Sequence, residues 1–182
     1  MSNILIDAEA LAVWKGRQQI VDDTITPVPI AALSATLDRE DPTPRVGDAV
    51  PPLWHWLYFL PLHRQSQIGP DGHALRAGFL PPVPLPRRMW AGGRFQFGKP
   101  LRVGEAVRRT STISDVSVKQ GRSGALVFVM VRHEIVGLFG GSLTEEQDIV
   151  FRETRLYQVA PISTNLILSY LAEHVLGMPR SY

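Results

Sequence analysis

The chain of 182 residues contains no cysteine, which excludes disulfide bonds, thiolate nucleophiles and thiolate-bound metals. It also lacks an uninterrupted apolar run close to the roughly 20 residues that a membrane-spanning helix needs. The N-terminal sequence carries Asp7 and Glu9 and has no basic stretch followed by an apolar one, so we expect no export or organelle signal. These absences predict a cytoplasmic protein that does not act on or in a membrane.

Acidic side chains are scarce in the middle of the chain. Residues 76–132 contain eleven basic and two acidic side chains, whereas residues 1–75 contain nine acidic and five basic ones. Clustered positive charge attracts a phosphorylated ligand, a nucleic acid or an acidic partner, and charge alone does not choose among them. Because the basic residues alternate with predicted core strands and no recognised nucleic-acid-binding module is present, we expect no nucleic-acid partner.

Helices are predicted in the first third of the chain. The apolar spacing from Asp7 to Val13 fits a short helix capped by Asp7, and Thr26 with Pro27 begins a second helix. Residues 53–61, LWHWLYFLP, lie between prolines and predict a buried helix of about two turns. The proline-rich residues 79–89 predict an edge strand or a surface cover rather than an interior strand.

Strands are predicted in the second half, over Trp90–Phe97, Val107–Val118, Ala125–Val136 and Gln147–Arg152. The apolar phase shifts inside the second of these strands, which predicts a bulge near Ser114 and Asp115. The fold class is therefore α+β, with an antiparallel sheet able to curl around one buried helix. We expect a single domain over residues 1–155, with a helical N-terminal extension, and a helical tail over residues 156–182.

Four blocks of the sequence resemble a known family, and they occupy Gly47–Pro61, Phe79–Glu105, Lys119–Ile135 and Leu143–Glu153. They are similar to the N-terminal dehydratase domain type of the MaoC-like dehydratase/hydratase group, which includes mesaconyl-coenzyme A hydratases and hydroxyacyl-thioester dehydratases of type 2. The resemblance implies a hot-dog fold, in which a curled antiparallel sheet wraps a central helix. It also implies an acyl thioester of coenzyme A or acyl carrier protein as the substrate of a reversible hydration, with no separate cofactor.

The same resemblance implies that hot-dog units pair, so we expect a homodimer or a heterodimer. Larger members of the group resemble two such units in tandem, and the second unit carries an Asp or Asn followed closely by a catalytic His. This sequence contains no such motif, and it corresponds to the first, usually substrate-binding, half. Two hypotheses follow: a hydratase/dehydratase or its binding half, and a non-catalytic subunit that pairs with a separate catalytic chain.

His55 and Asp48 are the candidate catalytic residues. Removing water from a hydroxyacyl thioester needs a base for the α-proton and an acid for the leaving hydroxyl, and one histidine near a carboxylate can serve both roles. His55 lies in residues 53–61, which we call the tryptophan-rich segment, and Asp48 lies in the loop before it. The alternative is a packed histidine between Trp54 and Trp56 and a solvated turn aspartate.

The candidate substrate-binding residues combine aromatic rings, basic side chains and a glycine pair that permits close backbone approach. They are Trp54, Trp56, His73, Arg87, Arg88, Trp90, Gly92, Gly93 and Arg94. The alternatives are a solvated basic edge that deters aggregation and an exposed loop histidine. Because His55, His63 and His73 lack a recognised ligand spacing, we expect no metal site.

Overall fold

The computed structural model describes residues 6–69, 73–75, 78–121 and 124–152. Two α-helices, α1 (Ala8–Ala12) and α2 (Pro27–Thr36), flank the first strand, β1 (Gln18–Thr24). Single turns of 3-10 helix follow at Trp54–Leu57 and Gln65–Gln67. The other strands are β2 (Arg87–Phe97), β3 (Ala106–Gly121), β4 (Gly124–Gly137) and β5 (Ser142–Arg152). The tail expected over residues 156–182 lies outside the described residues.

The five strands form one antiparallel sheet in the order β1-β3-β4-β5-β2. The predicted bulge is confirmed, because the register between β3 and β4 shifts between Ile113 and Asp115. Strand β1 was not predicted, and β5 begins at Ser142 instead of Gln147. Both stretches are rich in polar side chains and lack the apolar alternation that predicts a strand. They form strands because pairing with a neighbouring strand outweighs their low intrinsic strand propensity.

One face of the sheet, the inner face, carries the core. Successive strand residues point to opposite faces, so Val127, Val129, Val131 and Ile135 of β4 are buried together on it. One apolar cluster joins this face to Ile30 of α2 and to the tryptophan-rich segment. A second cluster joins the other end of the same face to α1 and to residues 79–85. The tryptophan-rich segment thus packs on the inner face of the curled sheet, and the α+β hot-dog arrangement is confirmed.

The central helix is shorter than predicted. Its helical part is one 3-10 turn, Trp54–Leu57, bounded by Leu53 and Phe59 with φ angles of 72° and 57°. Two residues with left-handed backbone close to the turn prevent a longer regular helix, since this conformation interrupts it. The segment still buries His55, Tyr58 and Phe59 against the sheet.

Residues 79–86 of the proline-rich segment form the expected cover, and residues 87–89 begin β2, an edge strand of the described sheet. Pro81, Val83 and Leu85 are fully buried while the prolines between them are exposed. Proline has no backbone N–H to donate, so an extended segment with proline at alternate positions does not need to pair with a strand. It can therefore lie across one end of the inner face and cover it. Among the described residues, no helix is long and apolar enough to cross a membrane.

Candidate active site

A band of polar side chains crosses the inner face between the two apolar clusters. Ser111 of β3 pairs in register with His133 of β4, and His133 pairs with Glu145 of β5. Gln147 is two residues further along β5, so its side chain lies on the same face. We call Ser111, His133, Glu145 and Gln147 the inner polar band. The sequence produces it by placing polar residues at inward positions of strands that are otherwise apolar on that face.

The tryptophan-rich segment delivers two more polar groups onto this band. His55 Nε2 lies 3.2 Å from Glu145 Oε2, and Trp56 Nε1 donates to both Glu145 oxygens at 3.1 Å. Gln147 Nε2 donates to Glu145 Oε1 at 2.7 Å. His55 is only 3% exposed and Glu145 only 2%. A buried carboxylate is thus surrounded by three donors, which is what removal of its charge from water requires.

The charge states of the band follow from these contacts. Burial by itself raises the pKa of Glu145, but hydrogen bonds from His55, Gln147 and Trp56 outweigh it and hold the pKa below its usual value. Burial and then the Arg109 cation lower the pKa of His133, whose Nδ1 lies 2.7 Å from Ser111 Oγ. The site therefore holds an ionised glutamate beside a neutral His133 at neutral pH.

An apolar cavity of about 250 Å³ opens beside His55. Its walls include Val50, Pro51, Phe97 and Leu101, and Lys99 also lines it. We call this space the His55 cavity. The ring of His55 meets the rings of Phe95 and Phe97 edge-on, with centroids 6.2 and 6.4 Å apart. The arrangement places one imidazole in a mostly apolar pocket, whose other polar side chains are Lys99 and Ser142.

The two ring nitrogens of His55 have different surroundings. Nε2 faces Glu145, whereas Nδ1 forms no hydrogen bond with any described residue. Because Nε2 contacts Glu145 and His55 lines the cavity, Nδ1 is the ring nitrogen left for a ligand in the cavity.

The structure does not bring Asp48 to His55 as expected. The Asp48 carboxylate accepts from the Arg45 backbone N–H at 2.7 Å and stabilises its own turn. The loop around it is fixed instead by Arg102, whose side chain donates to the Gly47 carbonyl. His55 pairs instead with Glu145, 90 residues further along the chain, so the expected contact between Asp48 and His55 is not formed and the catalytic role of Asp48 stays a prediction. Whether His55 is catalytic stays a prediction.

The predicted basic group does not converge on one ligand. Arg94 points to the outer face of the sheet, where it pairs with Glu146 and Asp148 at 2.8 and 3.0 Å. Arg87 also lies on the outer face. Its neighbour Arg88 pairs with Phe151 of the inner face, and successive strand residues point to opposite faces. Arg88 and His73 both line a second cavity, of about 590 Å³, under the proline-rich cover. Lys99 is the basic residue that lines the His55 cavity.

The predicted aromatic and glycine residues are also spread over the sheet edge and the central turn. Trp54 packs on the first apolar cluster, and Trp56 binds Glu145 through its indole N–H while staying half exposed. Trp90 is exposed on the β2 edge, and Gly92 and Gly93 follow a bulge in the β2–β5 register. A Cβ at Gly93 would lie 3.1 Å from the Trp90 ring, so Gly93 accommodates that side chain.

A third cavity, of about 720 Å³, lies between β1 and residues 57–63, and Arg109 lines it. The Arg109 Nε atom is buried without a hydrogen-bond partner, and its guanidinium carbon lies 5.0 Å from the Phe59 ring centre. Burial lowers the pKa of Arg109. Asp22 and Asp23 line the same space, so the cavity as a whole does not favour an anion.

Comparison with known proteins places this arrangement in a family. The model of the hydroxyacyl-thioester dehydratase type 2 family matches residues 53–167. The mesaconyl-C(4)-CoA hydratase of Chloroflexus aurantiacus is 45% identical over 153 residues, which are 84% of this chain and 55% of that protein. The chain belongs to the hydroxyacyl-thioester dehydratase type 2 family. It spans about half the length of that relative.

Solved structures agree with the fold. The ChsH1–ChsH2 complex from Mycobacterium tuberculosis contains a chain that aligns with 81% of this one and 91% of its own length, with a TM-score of 0.55 and 13% identity. At this identity the likeness concerns the fold alone. In this family member, no group of three or more His, Asp and Glu side chains is arranged to hold a metal ion within the described residues.

We did not predict from the sequence that the residues of the inner polar band, Ser111, His133, Glu145 and Gln147, lie together in one site. The signal was present in LTEEQDIVF, residues 143–151, where Glu145 and Gln147 alternate in phase with Leu143, Ile149 and Phe151. Polar residues in the apolar phase of a strand mark buried polar groups. Their partner, His55, comes from a segment 90 residues away in sequence, and only the fold brings the two together.

Proposed function

We propose that the chain binds an acyl thioester of coenzyme A or acyl carrier protein, as a hydratase/dehydratase or as the substrate-binding half of one. The observation that supports this best is the His55 cavity, an apolar space with a single imidazole in its wall and Lys99 beside it. Apolar pockets with a few polar groups are typical of small-molecule sites. Membership of the hydroxyacyl-thioester dehydratase type 2 family points to the same substrate class.

The size of the cavity favours a short acyl group. Its volume of about 250 Å³ is just under the roughly 300–1,000 Å³ usual for small-molecule pockets. The relative from Chloroflexus aurantiacus acts on mesaconyl-C(4)-CoA by its name, which is in keeping with a compact acyl group. Lys99 would then attract the phosphates of the carrier by charge.

The test is equilibrium binding of butyryl-CoA to the full chain by calorimetry, with a variant that blocks the cavity. Ala49 lines the cavity and is exposed, so Ala49→Trp obstructs it without disturbing the core. Ala35 is exposed on α2 and lines none of the three cavities, so Ala35→Trp is the matched control. We expect at least a tenfold loss of affinity in Ala49→Trp alone; equal affinity in both variants would contradict the proposal.

The second candidate is a non-catalytic subunit that pairs with a catalytic hot-dog chain in the cytoplasm. The observation in its favour is that the Asp/Asn-His motif of the family's second unit does not occur in this sequence. Strand β2 is an edge of the described sheet and exposes Trp90 and Phe97, so it could pair with a second unit. Turnover that needs an added chain bearing the motif, with a mixed dimer in sedimentation, would favour this candidate.

A further inference from the structure

The inner polar band is costly to maintain. The carboxylate of Glu145 is buried, and the imidazole of His133 and the amide of Gln147 are partly buried, between two apolar clusters. Well-packed apolar residues at such positions are often as stabilising or more so. Both carboxylate oxygens of Glu145 have hydrogen-bond partners, which are His55, Trp56 and Gln147. A complete buried network that ends at a cavity is the arrangement expected of a functional site.

We propose that His55 is the acid–base residue of this chain and that Glu145 is its positioning residue. The inference rests on the proposed function, because it needs a thioester in the His55 cavity. The ionised Glu145 carboxylate can only accept a hydrogen bond, so His55 Nε2 carries the proton that it donates to Glu145. The free lone pair of the imidazole is then on Nδ1. Nδ1 is the ring nitrogen without a hydrogen-bond partner among the described residues, in a side chain that lines the cavity.

Three contacts keep Glu145 from turning away from His55. The indole N–H of Trp56 is shared between both carboxylate oxygens, and the Gln147 amide donates to Oε1. Trp56 follows His55 directly in the 3-10 turn, so the donor and the imidazole are positioned by the same backbone. The carboxylate stays ionised, as its lowered pKa requires, and it stabilises an imidazolium when His55 takes a proton.

The chemistry balances with water as the co-reactant. In hydration, His55 Nδ1 accepts a proton from water while the water oxygen bonds to the β-carbon of the enoyl thioester. The electrons of the carbon–carbon double bond move toward the α-carbon and the thioester carbonyl. The imidazolium then returns the proton to the α-carbon, which yields the hydroxyacyl thioester and neutral His55. Dehydration follows the same steps in reverse.

The test measures binding and turnover of the full chain separately. Butyryl-CoA has no double bond to hydrate, so its dissociation constant reports on the pocket alone. Crotonyl-CoA hydration reports on chemistry. We compare the wild type with Glu145→Gln, Glu145→Asp and His55→Gln, and use Glu134→Gln as control, because Glu134 is exposed on the outer face of β4.

We expect Glu145→Gln and His55→Gln to lower kcat by 100-fold or more, the range for loss of acid–base catalysis, with KM changed less than threefold. Glu145→Asp restores part of kcat, and Glu134→Gln equals the wild type. Nitrogen-15 spectra of the wild type show His55 protonated at Nε2 and not at Nδ1. Glu145→Gln weakens this tautomer preference, which a merely structural role of Glu145 would not require.

The failures are distinguishable. Absence of butyryl-CoA binding overturns the proposed function itself. Binding without crotonyl-CoA turnover by the wild type, or turnover that survives His55→Gln, overturns the inference and leaves the binding function standing. A His55 that carries its proton on Nδ1 overturns it without any variant, so the inference is testable even where Glu145→Gln does not fold.

Discussion

Two consecutive residues of β5, Glu145 and Glu146, show how differently the two faces of this sheet use a carboxylate. Glu145 is buried on the inner face and accepts from His55, Trp56 and Gln147. Glu146 is on the outer face, where it pairs with Arg94 and more distantly with Arg132 among partly exposed side chains. Water screens the outer ion pairs but not the inner network, so the same functional group has a large energetic role in one place and a small one in the other.

The largest expected difference between the faces comes from removing these two carboxylates. Glu145→Ala leaves the buried His55 and the partly buried N–H groups of Trp56 and Gln147 without an acceptor, so we expect a loss of about 3–5 kcal/mol in the free energy of unfolding. Glu146→Ala removes a partly exposed pair and should cost about 1 kcal/mol or less. Urea denaturation measures both, and equal losses would show that the inner polar band is more hydrated than its burial indicates.

Apolar neighbours in β4 provide a second pair. Ile135 is buried on the inner face, whereas Val136 is about half exposed on the outer face. We expect Ile135→Ala to cost about 2–5 kcal/mol through lost burial and the cavity left behind, and Val136→Ala to change stability by about 0.5 kcal/mol or less. Thermal and urea unfolding compare the two. A large effect at Val136 would indicate that the outer face is covered in solution by a second unit.

The pH dependence of stability sharpens the comparison further. The folded pKa of His133 lies below its ordinary value of 6.5 because of burial, so the unfolded state binds more protons as the pH falls below that value. The contribution of neutral His133 to the free energy of unfolding should therefore be at its maximum above pH 6.5. It should decrease as the pH falls from 6.5 toward the lower pKa of His133 in the folded state. The lowered pKa of Glu145 adds a further decrease at more acidic pH. We expect His133→Asn, which keeps an acceptor for Ser111, to flatten the decrease below pH 6.5.

Urea denaturation of the wild type and His133→Asn across that range is the measurement. An identical slope in both proteins would mean that His133 does not carry the dependence.

The smallest effect is expected at Arg94. It pairs with Glu146 and Asp148 on the outer face, and its side chain is 55% exposed. We expect Arg94→Ala to lower stability less than any inner-face substitution and the difference to shrink at high salt, because exposed ion pairs are screened. Denaturation at low and high salt checks this, and a loss that persists in high salt would place Arg94 in a more buried environment than its exposure indicates.

Much of the fold could be predicted from local patterns. The Asp7 cap, the Thr26–Pro27 helix start and the bulge after Ile113 all appear where the sequence placed them. Each depends on residues close in sequence, since caps, proline positions and side-chain alternation act within a few residues. Strand β1 escaped prediction because its polar residues form a strand only through pairing with β3.

The candidate site was predicted in part. His55 and the two tryptophans beside it were chosen for their chemistry, and His55 does line a cavity. Asp48 was chosen as its partner because it is near in sequence, but its carboxylate accepts from the Arg45 backbone and does not contact His55. The basic residues Arg87, Arg88 and Arg94 were grouped by sequence position, yet neighbouring strand residues point to opposite faces, so they serve different surfaces.

The amino-acid sequence by itself determined the α+β fold class, the helix starts, most of the strands and the presence of the tryptophan-rich segment that carries His55. It did so because these features depend on local sterics and on the alternation of apolar residues. Only the tertiary structure decided that Glu145, and not Asp48, holds His55, and that a cavity opens beside the imidazole. That outcome depends on strand register and on the way the sheet curls, which bring together residues 90 positions apart.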